Sequence, residues 1–337
     1  MSHFEIPKSQ VAAVVERAGD HPVKSQEQLA HGECLVKLEC SGACHTDFHA
    51  AVSVQMGWLP MIMLGDWPVP AKLPLIGGHE GVGIIETTPH GLHCLNCEHC
   101  KKGREQNCSQ ALCSGFTVDG TFQEYVVSYV NHVTPIPDGL PSDAAASILC
   151  AGVTVYRAIK YMIPGAGGGL GHLAIQYAPV RGLCVIAIDT GEEKKELCLG
   201  LGAEKWIDFM ESKDIVQEVK DTTGGQGAHS AVVTAATAGG YQQAIEYLRS
   251  GSTLMCNGLP GKAELSASIF WTVFKSISII GSYVGNRQDA AEAVDIAAKG
   301  LVKVHFVTKP LSDLENVYVG MQTGKIAGRV VLDMSKE

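Results

Sequence analysis

Four cysteines crowd the stretch HCLNCEHCKKGREQNC (93–108), where Cys94, Cys97, Cys100 and Cys108 follow the spacing Cys-x2-Cys-x2-Cys-x7-Cys. Thiolates so placed can close around one ion, because a structural zinc site asks for a tetrahedron of sulfurs about 2.3 Å from the metal. Lys101, Lys102 and Arg104 share the loop and can offset the net negative charge of a four-thiolate centre. Ferredoxins open with the same spacing, but their fourth cysteine comes sooner and precedes proline, so an iron–sulfur cluster is the lesser reading. Plain core packing of four thiols is disfavoured by the Asn, Glu, His, Lys and Arg of the loop. A zinc knuckle for RNA would use the same ligands, but an acidic chain suits a phosphate backbone poorly.

A second chemical signal is the glycine-rich turn PGAGGGLG (164–171), with Gly165, Gly167, Gly168, Gly169, Leu170 and Gly171 opening a helical pattern. Glycines let backbone approach a pyrophosphate, and a helix N-terminus favours its charge. Alone the motif is weak, since most glycines in turns serve only geometry. The following strand pattern ends in Asp189, eighteen residues beyond Gly171, where a carboxylate can hold a ribose 2′-hydroxyl. That carboxylate would repel the 2′-phosphate of NADP, so the expected dinucleotide is NAD.

The segments CSGACHTDFHAA (40–51) and GGHEGVG (77–83) gather Cys44, His45, Thr46, Asp47, His49, His79 and Glu80. Together with ILCAGVTVY (148–156), they resemble the zinc-dependent medium-chain alcohol dehydrogenases, and among them the yeast-type fungal enzymes. The resemblance covers nearly the whole chain and includes LPGKAELSASIFWTVFKSISIIGSYVGNRQDA. It implies that Cys44, His79 and Cys150 bind a catalytic zinc, the second ion beside the structural one. Such a Cys2His set leaves a fourth position open, the pattern of a catalytic site. It implies further that Thr46 takes the alcohol proton and passes it through the cofactor ribose to His49, an imidazole suited to a relay at neutral pH. Asp47 would steady His79, and Glu80 would be a transient ligand. His45 would touch the pyrophosphate, Lys194 and Asp189 the adenosine ribose, and Arg329 the phosphate side. Trp67 would line a narrow pocket for small primary alcohols. The implied activity is reversible, NAD-dependent oxidation of an alcohol such as ethanol to its aldehyde, by a homotetramer.

The elements that must position these residues show in the periodicity. ECLVKLEC (33–40) alternates as a strand, and GTFQEYVV (120–127) does so less cleanly. Beyond about Gly152 the texture changes. Leu170, Leu173, Ala174, Tyr177 and Ala178 fall on one helical face. CVIAID, HSAVVTAA, STLMCNG and SISIIGSYVG then alternate with helical stretches such as EKKELCLGLGA and YQQAIEYLR, the βαβα rhythm of a parallel doubly wound sheet. The tail carries one more helix, with Ala290, Ala293, Val294 and Ala297 on one face, before the strand GRVVLD. The expected fold is α/β: a GroES-like β-barrel catalytic domain formed by 1–151 and 285–337, and a Rossmann NAD-binding domain over 152–284.

Composition narrows the classes. A chain of 337 residues exceeds the usual single core, and 46% hydrophobic with 18% charged residues suits a compact α/β protein. Its net charge of −9, without a basic stripe, argues against nucleic acid and anionic membrane as partners. MSHFEIPKSQ has no signal-peptide pattern, and VSVQMGWLPMIML (52–64) is too short to span a bilayer, so a cytoplasmic protein is expected. Its twelve cysteines then mean metal or burial rather than disulfides. Cys34, Cys40, Cys113, Cys184, Cys198 and Cys256 read as small hydrophobes, and His90, His93 and His99 as surface residues.

Three stretches depart from the family pattern. The apolar segment 52–64 interrupts motifs that nearly adjoin elsewhere, the run from His79 to Cys94 lacks a barrel strand, and only IKYMI precedes the glycine turn. The last departure removes most of the first Rossmann strand. Two further functional readings therefore stand beside the first: a dehydrogenase of the same scaffold for polyols or larger alcohols, and a catalytically impaired zinc- and NAD-binding variant.

Overall fold

The computed structural model describes residues 6–14, 18–22, 28–30, 32–52, 71–72, 74–87, 96–161, 169–234, 238–260, 263–323 and 326–335. The chain divides into two compact units: Met1–Cys150 with Phe306–Lys325 and Arg329–Glu337, and Ala151–His305 with Ile326–Gly328. The first is built on antiparallel pairing and the second on parallel pairing.

In the first unit β1 (Ser9–Ala13) pairs with β2 (Ala18–Pro22). The organising element is β3 (Glu33–Ala43), eleven residues long and buried along most of its length. One edge of β3 carries β4 (Glu80–Thr87), antiparallel, with Gly42 opposite Glu80. Its other edge is shared: β5 (Tyr125–Tyr129) covers Glu33–Lys37, and β12 (Arg329–Asp333) covers Cys40–Ala43. Beyond β12 lies β11 (Phe306–Pro310), in parallel. The apolar alternation of VVL in β12 lets Val331 join Cys40, Val82, Ala145 and Ala146 in one buried cluster. This packing fixes the helix Ser142–Ser147 against the sheet. The strand expected over 120–127 starts only at Tyr125, because Gly120, Thr121 and Phe122 bond backbone-to-backbone with Ile76, Gly78 and Gly77 instead.

In the second unit β6 (Ile186–Asp189) pairs with β7 (Lys205–Asp208), and β8 (Ala228–Val233), β9 (Leu248–Cys256) and β10 (Ser278–Gly281) form a separate parallel sheet. Among the described residues no strand joins β6 to β8. The truncated first strand expected before the glycine turn falls largely on 162–168, outside the described residues. The helix Gly171–Val180 is buried from Gly171 through Ala178, rather than along one face as its periodicity suggests. Its Tyr177 hydroxyl donates to the carbonyl of Ala293, and Gln176 bonds both backbone groups of Lys303. Those contacts bind the helix Arg287–Ala298 into the second unit, so the chain returns to the first at Phe306 and not near 285.

The start of that helix is strongly tied. Asn286 and Asp289 form a reciprocal capping box, and the nearly inaccessible Asp289 also accepts from Arg157 Nη1 at 2.7 Å. Removing one partner of a buried ion pair leaves an uncompensated charge and costs about 3 kcal/mol or more. Asp289→Ala is therefore expected to lower the urea midpoint of unfolding by that equivalent, and Asp289→Asn, which keeps a capping oxygen, by less. An unchanged midpoint in both variants would contradict the assignment.

Candidate active site

Three neighbouring strand ends converge at one edge of the first unit's sheet. Cys44 follows the last residue of β3, Glu80 opens β4 with His79 just before it, and Arg329 opens β12. Antiparallel pairing makes this convergence unavoidable, since the start of β4 and the start of β12 both lie beside the end of β3. Gly78, at φ +90°, turns the chain into His79, and a Cβ there would meet Phe122 backbone nitrogen at 2.9 Å. Gly42 leaves the space that Glu80 fills, because a Cβ on Gly42 would stand 1.9 Å from Glu80 Oε2. The helix His45–Val52 begins at once after Cys44 and carries Thr46, Asp47 and His49. Cys150 arrives from the π-helical turn Ile148–Gly152, held by the packing of Ser142–Ser147 on the sheet.

The ligand atoms of Cys44, His79, Glu80 and Cys150 all lie within 4.8 Å of one another. His79 Nδ1 stands 2.7 Å from Asp47 Oδ1, and the other Asp47 oxygen accepts from the Cys44 backbone N–H at 2.9 Å. Asp47 thus orients imidazole and sulfur together. It accepts from the Nδ1–H and turns Nε2 toward the sulfurs, 3.2 Å from Cys150 Sγ. The hydrogen bond from Cys150, with help from His79 and Arg329, holds the Cys44 thiol well below its usual range, and the same contact pushes Cys150 well above it. Burial opposes charge on His79, yet Asp47 and Cys44 outweigh it and hold the imidazole well above its ordinary value. Burial also raises Glu80 to about 7, against the pull of Arg329. Glu80 Oε1 accepts from the buried Arg329, while Glu80 Oε2 is buried without a hydrogen-bond partner. Two sulfurs, an aimed imidazole nitrogen and an unsatisfied carboxylate oxygen make a donor set that fits a divalent cation of zinc type.

A second group of sulfurs is exposed to solvent in part. Cys97 Sγ lies 3.5 Å from Cys100 Sγ and 3.7 Å from Cys108 Sγ. A tetrahedron of metal–sulfur bonds about 2.3 Å long has edges of about 3.8 Å, so three corners of such a figure are already in place. The Gln110 N–H donates to Cys108 Sγ at 3.4 Å. Desolvation and the neighbouring sulfurs of Cys97 and Cys108 push the Cys100 thiol up to about 12, as expected for thiolates crowded without a cation. Cys94, the expected fourth corner, lies outside the described residues, as do Trp67, Gly165, Gly167 and Gly168.

The remaining site residues fall as follows. In the second unit Asp189 ends β6 and pairs with Lys194 Nζ at 3.1 Å, while Gly169 and Leu170 lead into the helix that starts at Gly171. His45 is exposed at the start of its helix, with its ring centroid 6.3 Å from that of His49. Arg329, expected on the phosphate side of a cofactor, turns its guanidinium inward onto Glu80 within the first unit. Sequence reasoning missed that pairing because 249 positions separate the two residues and no local pattern links them. Every described cysteine is a free thiol; Cys34, Cys40 and Cys198 are buried as expected of small hydrophobes, whereas Cys184 is exposed.

Comparison with known proteins fits this arrangement. Residues 30–138 match the family model for the alcohol dehydrogenase GroES-like domain, and residues 169–299 that for zinc-binding dehydrogenase. Alcohol dehydrogenase 1 of Emericella nidulans is 44% identical over 360 residues, covering 98% of this chain and 99% of its own. The alcohol dehydrogenase of Schizosaccharomyces pombe is 43% identical at the same coverage. Those alignments run over more positions than this chain possesses, so the relatives carry segments that it lacks. Among solved structures, the alcohol dehydrogenase of Aeropyrum pernix superposes with a TM-score of 0.80 at 26% identity, covering 97% of this chain and 99% of that one. The acetophenone reductase of Geotrichum candidum, solved in complex with NAD, shares the fold with a TM-score of 0.82 at 24% identity and 98% coverage of each. A GroES-like unit followed by a Rossmann-like unit, matched over almost its full length, places the chain in the zinc-dependent medium-chain alcohol dehydrogenase family.

Proposed function

We propose that the chain oxidises small primary alcohols such as ethanol to aldehydes, reversibly and with NAD. The observation that carries this reading is the convergence of Cys44, His79 and Cys150 within one buried cluster. These three would hold the catalytic zinc, and Cys94, Cys97, Cys100 and Cys108 the structural one. A bound zinc ion supplies a Lewis acid that makes a hydroxyl more acidic, and NAD supplies the hydride acceptor.

The chain's own residues do the remaining work. Asp47 keeps the Nδ1 proton of His79 in place, so that Nε2 presents its lone pair to a metal. Arg329 balances Glu80, which leaves Glu80 Oε2 as a spare ligand in a site already rich in negative charge. Thr46 would receive the alcohol proton, and His49, three residues on along the same helix, would carry it onward. Asp189 would accept from a ribose 2′-hydroxyl with Lys194 beside it, and the helix start at Leu170 and Gly171 would favour the charge of the pyrophosphate. Trp67 is proposed to narrow the substrate pocket.

Assembly as a homotetramer is supported by an apolar face left exposed among the described residues. On the helix Ile269–Phe274, Ile269, Phe270, Trp271, Val273 and Phe274 are all exposed, as are Ile279 and Ile280 on β10, whose outer edge has no strand beside it among the described residues. Cytoplasmic residence is supported by ligand thiols that must stay reduced to bind metal. Among the described residues no helix is long and apolar enough to cross a membrane. The segments that the chain lacks relative to its fungal relatives favour one second reading, a variant that binds zinc and NAD but turns over poorly.

Zinc analysis and an ethanol/NAD assay on one preparation decide between the two. Two zinc ions per chain with ethanol-dependent NAD reduction are expected; two ions without turnover would favour the impaired variant. Cys44→Ser should lower turnover by about a thousandfold, the several kcal/mol that a Lewis acid contributes, with the Tm nearly unchanged. Cys100→Ser should instead release one zinc and lower the Tm, and an unchanged Tm would refute the structural centre. Phe270→Glu with Phe274→Glu should shift the light-scattering mass to a smaller species if the apolar helix face joins copies.

A further inference from the structure

The carboxyl ends of β6 and β7 carry an acidic pair that the ribose reading uses only by half. The two strands run parallel with Asp189 in register opposite Asp208, so both carboxylates stand at the sheet end where doubly wound folds take their ligands. Asp189 Oδ1 accepts from the Thr190 N–H at 2.8 Å and from Lys194 Nζ at 3.1 Å. Asp208 reaches across to the turn that follows Asp189. Its Oδ2 accepts from the Gly191 N–H at 3.0 Å, its Oδ1 from the Met210 N–H at 2.9 Å, and the Thr190 hydroxyl bonds to it as well. Gly191 sits at φ +100° and precedes the helix Glu192–Gly200, and having no side chain it provides no cap of its own. Asp208 on the neighbouring strand fixes this residue instead, through the Gly191 N–H itself.

Lys194 lies in the first turn of that helix, so the same contact sets both halves of the Asp189–Lys194 pair. The backbone tie is double, since the Phe209 N–H donates back to the Asp189 carbonyl at 3.1 Å. The charge count matters too: two carboxylates face one lysine, and a hydroxyl donor is welcome there while a phosphate dianion meets a second repulsive group.

We propose that Asp208 is a positioning residue for cofactor recognition: it holds the Thr190–Gly191 turn so that Asp189 and Lys194 grip the adenosine ribose, and its charge adds to the exclusion of a 2′-phosphate. The inference rests on the reading of Asp189 as the ribose ligand. It contributes to binding and specificity and not to the chemical step.

The test is NADH fluorescence titration together with NAD and NADP kinetics on the full chain bearing Asp208→Ala, Asp208→Asn or Asp189→Ala. Asp208→Ala should weaken NADH binding and raise KM for NAD by about tenfold, the size of a lost charged hydrogen bond, with kcat within about twofold. Asp208→Asn, which keeps an acceptor oxygen, should hold NADH affinity while raising kcat/KM for NADP about threefold or more. Unchanged NADH affinity and unchanged NAD preference in both Asp208 variants, with Asp189→Ala still weakening NADH, would overturn the inference and leave the ribose reading standing. Unchanged affinity in Asp189→Ala would remove the ribose reading and this inference with it. A fall in kcat at unaltered KM would equally count against it.

Discussion

Negative charge compressed into a buried volume is the constraint around which the first unit is arranged. Two sulfurs, an imidazole and a carboxylate share a space 4.8 Å across. Two like charges about 4 Å apart repel by about 4 kcal/mol even at an effective dielectric of about 20. The chain answers in two ways, with the Arg329 guanidinium on Glu80 and with an imidazole that Asp47 holds ready to be positive. Neither removes the demand for a cation; the orphaned Glu80 oxygen marks where it is unmet. A cation held here would balance that interior charge.

The sheet explains why these groups meet. One long strand is shared lengthwise between two partners on the same edge, and the second of them, β12, is the strand that brings Arg329. Had β3 been of ordinary length, it would have paired with β5 alone and left no ladder for the C-terminal strand. The pairing of β3 with β4 shifts register between Leu35 and Val36 and again between Leu38 and Cys40, irregularities of the kind that add twist to a strand.

Much of this was legible beforehand, for identifiable reasons. The thiol loop is written in consecutive short spacings, so residue type and spacing sufficed there, whereas Cys44, His79 and Cys150 were joined into one set only by the resemblance of their motifs to a known family. The Rossmann strands β6, β8, β9 and β10 were as plain as the thiol loop, because apolar runs alternate with helical ones, whereas the short β7 was not read from the sequence. The Glu80–Arg329 pair and the capture of the Arg287–Ala298 helix by the second unit were not legible. Both depend on contacts between residues far apart in sequence, Arg157 with Asp289 and Tyr177 with Ala293 among them, which no window of neighbours encodes. The helix Gly171–Val180 misled in another way: with His172 and Gln176 off the apolar stripe it looks one-sided, yet those polar side chains are buried and bonded.

The separation of Glu80 from Arg329 also orders events in time. Translation at about 5–20 residues per second puts roughly 12–50 s between the emergence of the two residues. The second unit is nearly one continuous stretch, complete soon after His305, whereas the first waits for its final strand. On the ribosome, then, the domain whose synthesis begins later is the one able to finish folding earlier, and the nascent first unit must stand open, its acidic interior hydrated, until the closing segment leaves the exit tunnel.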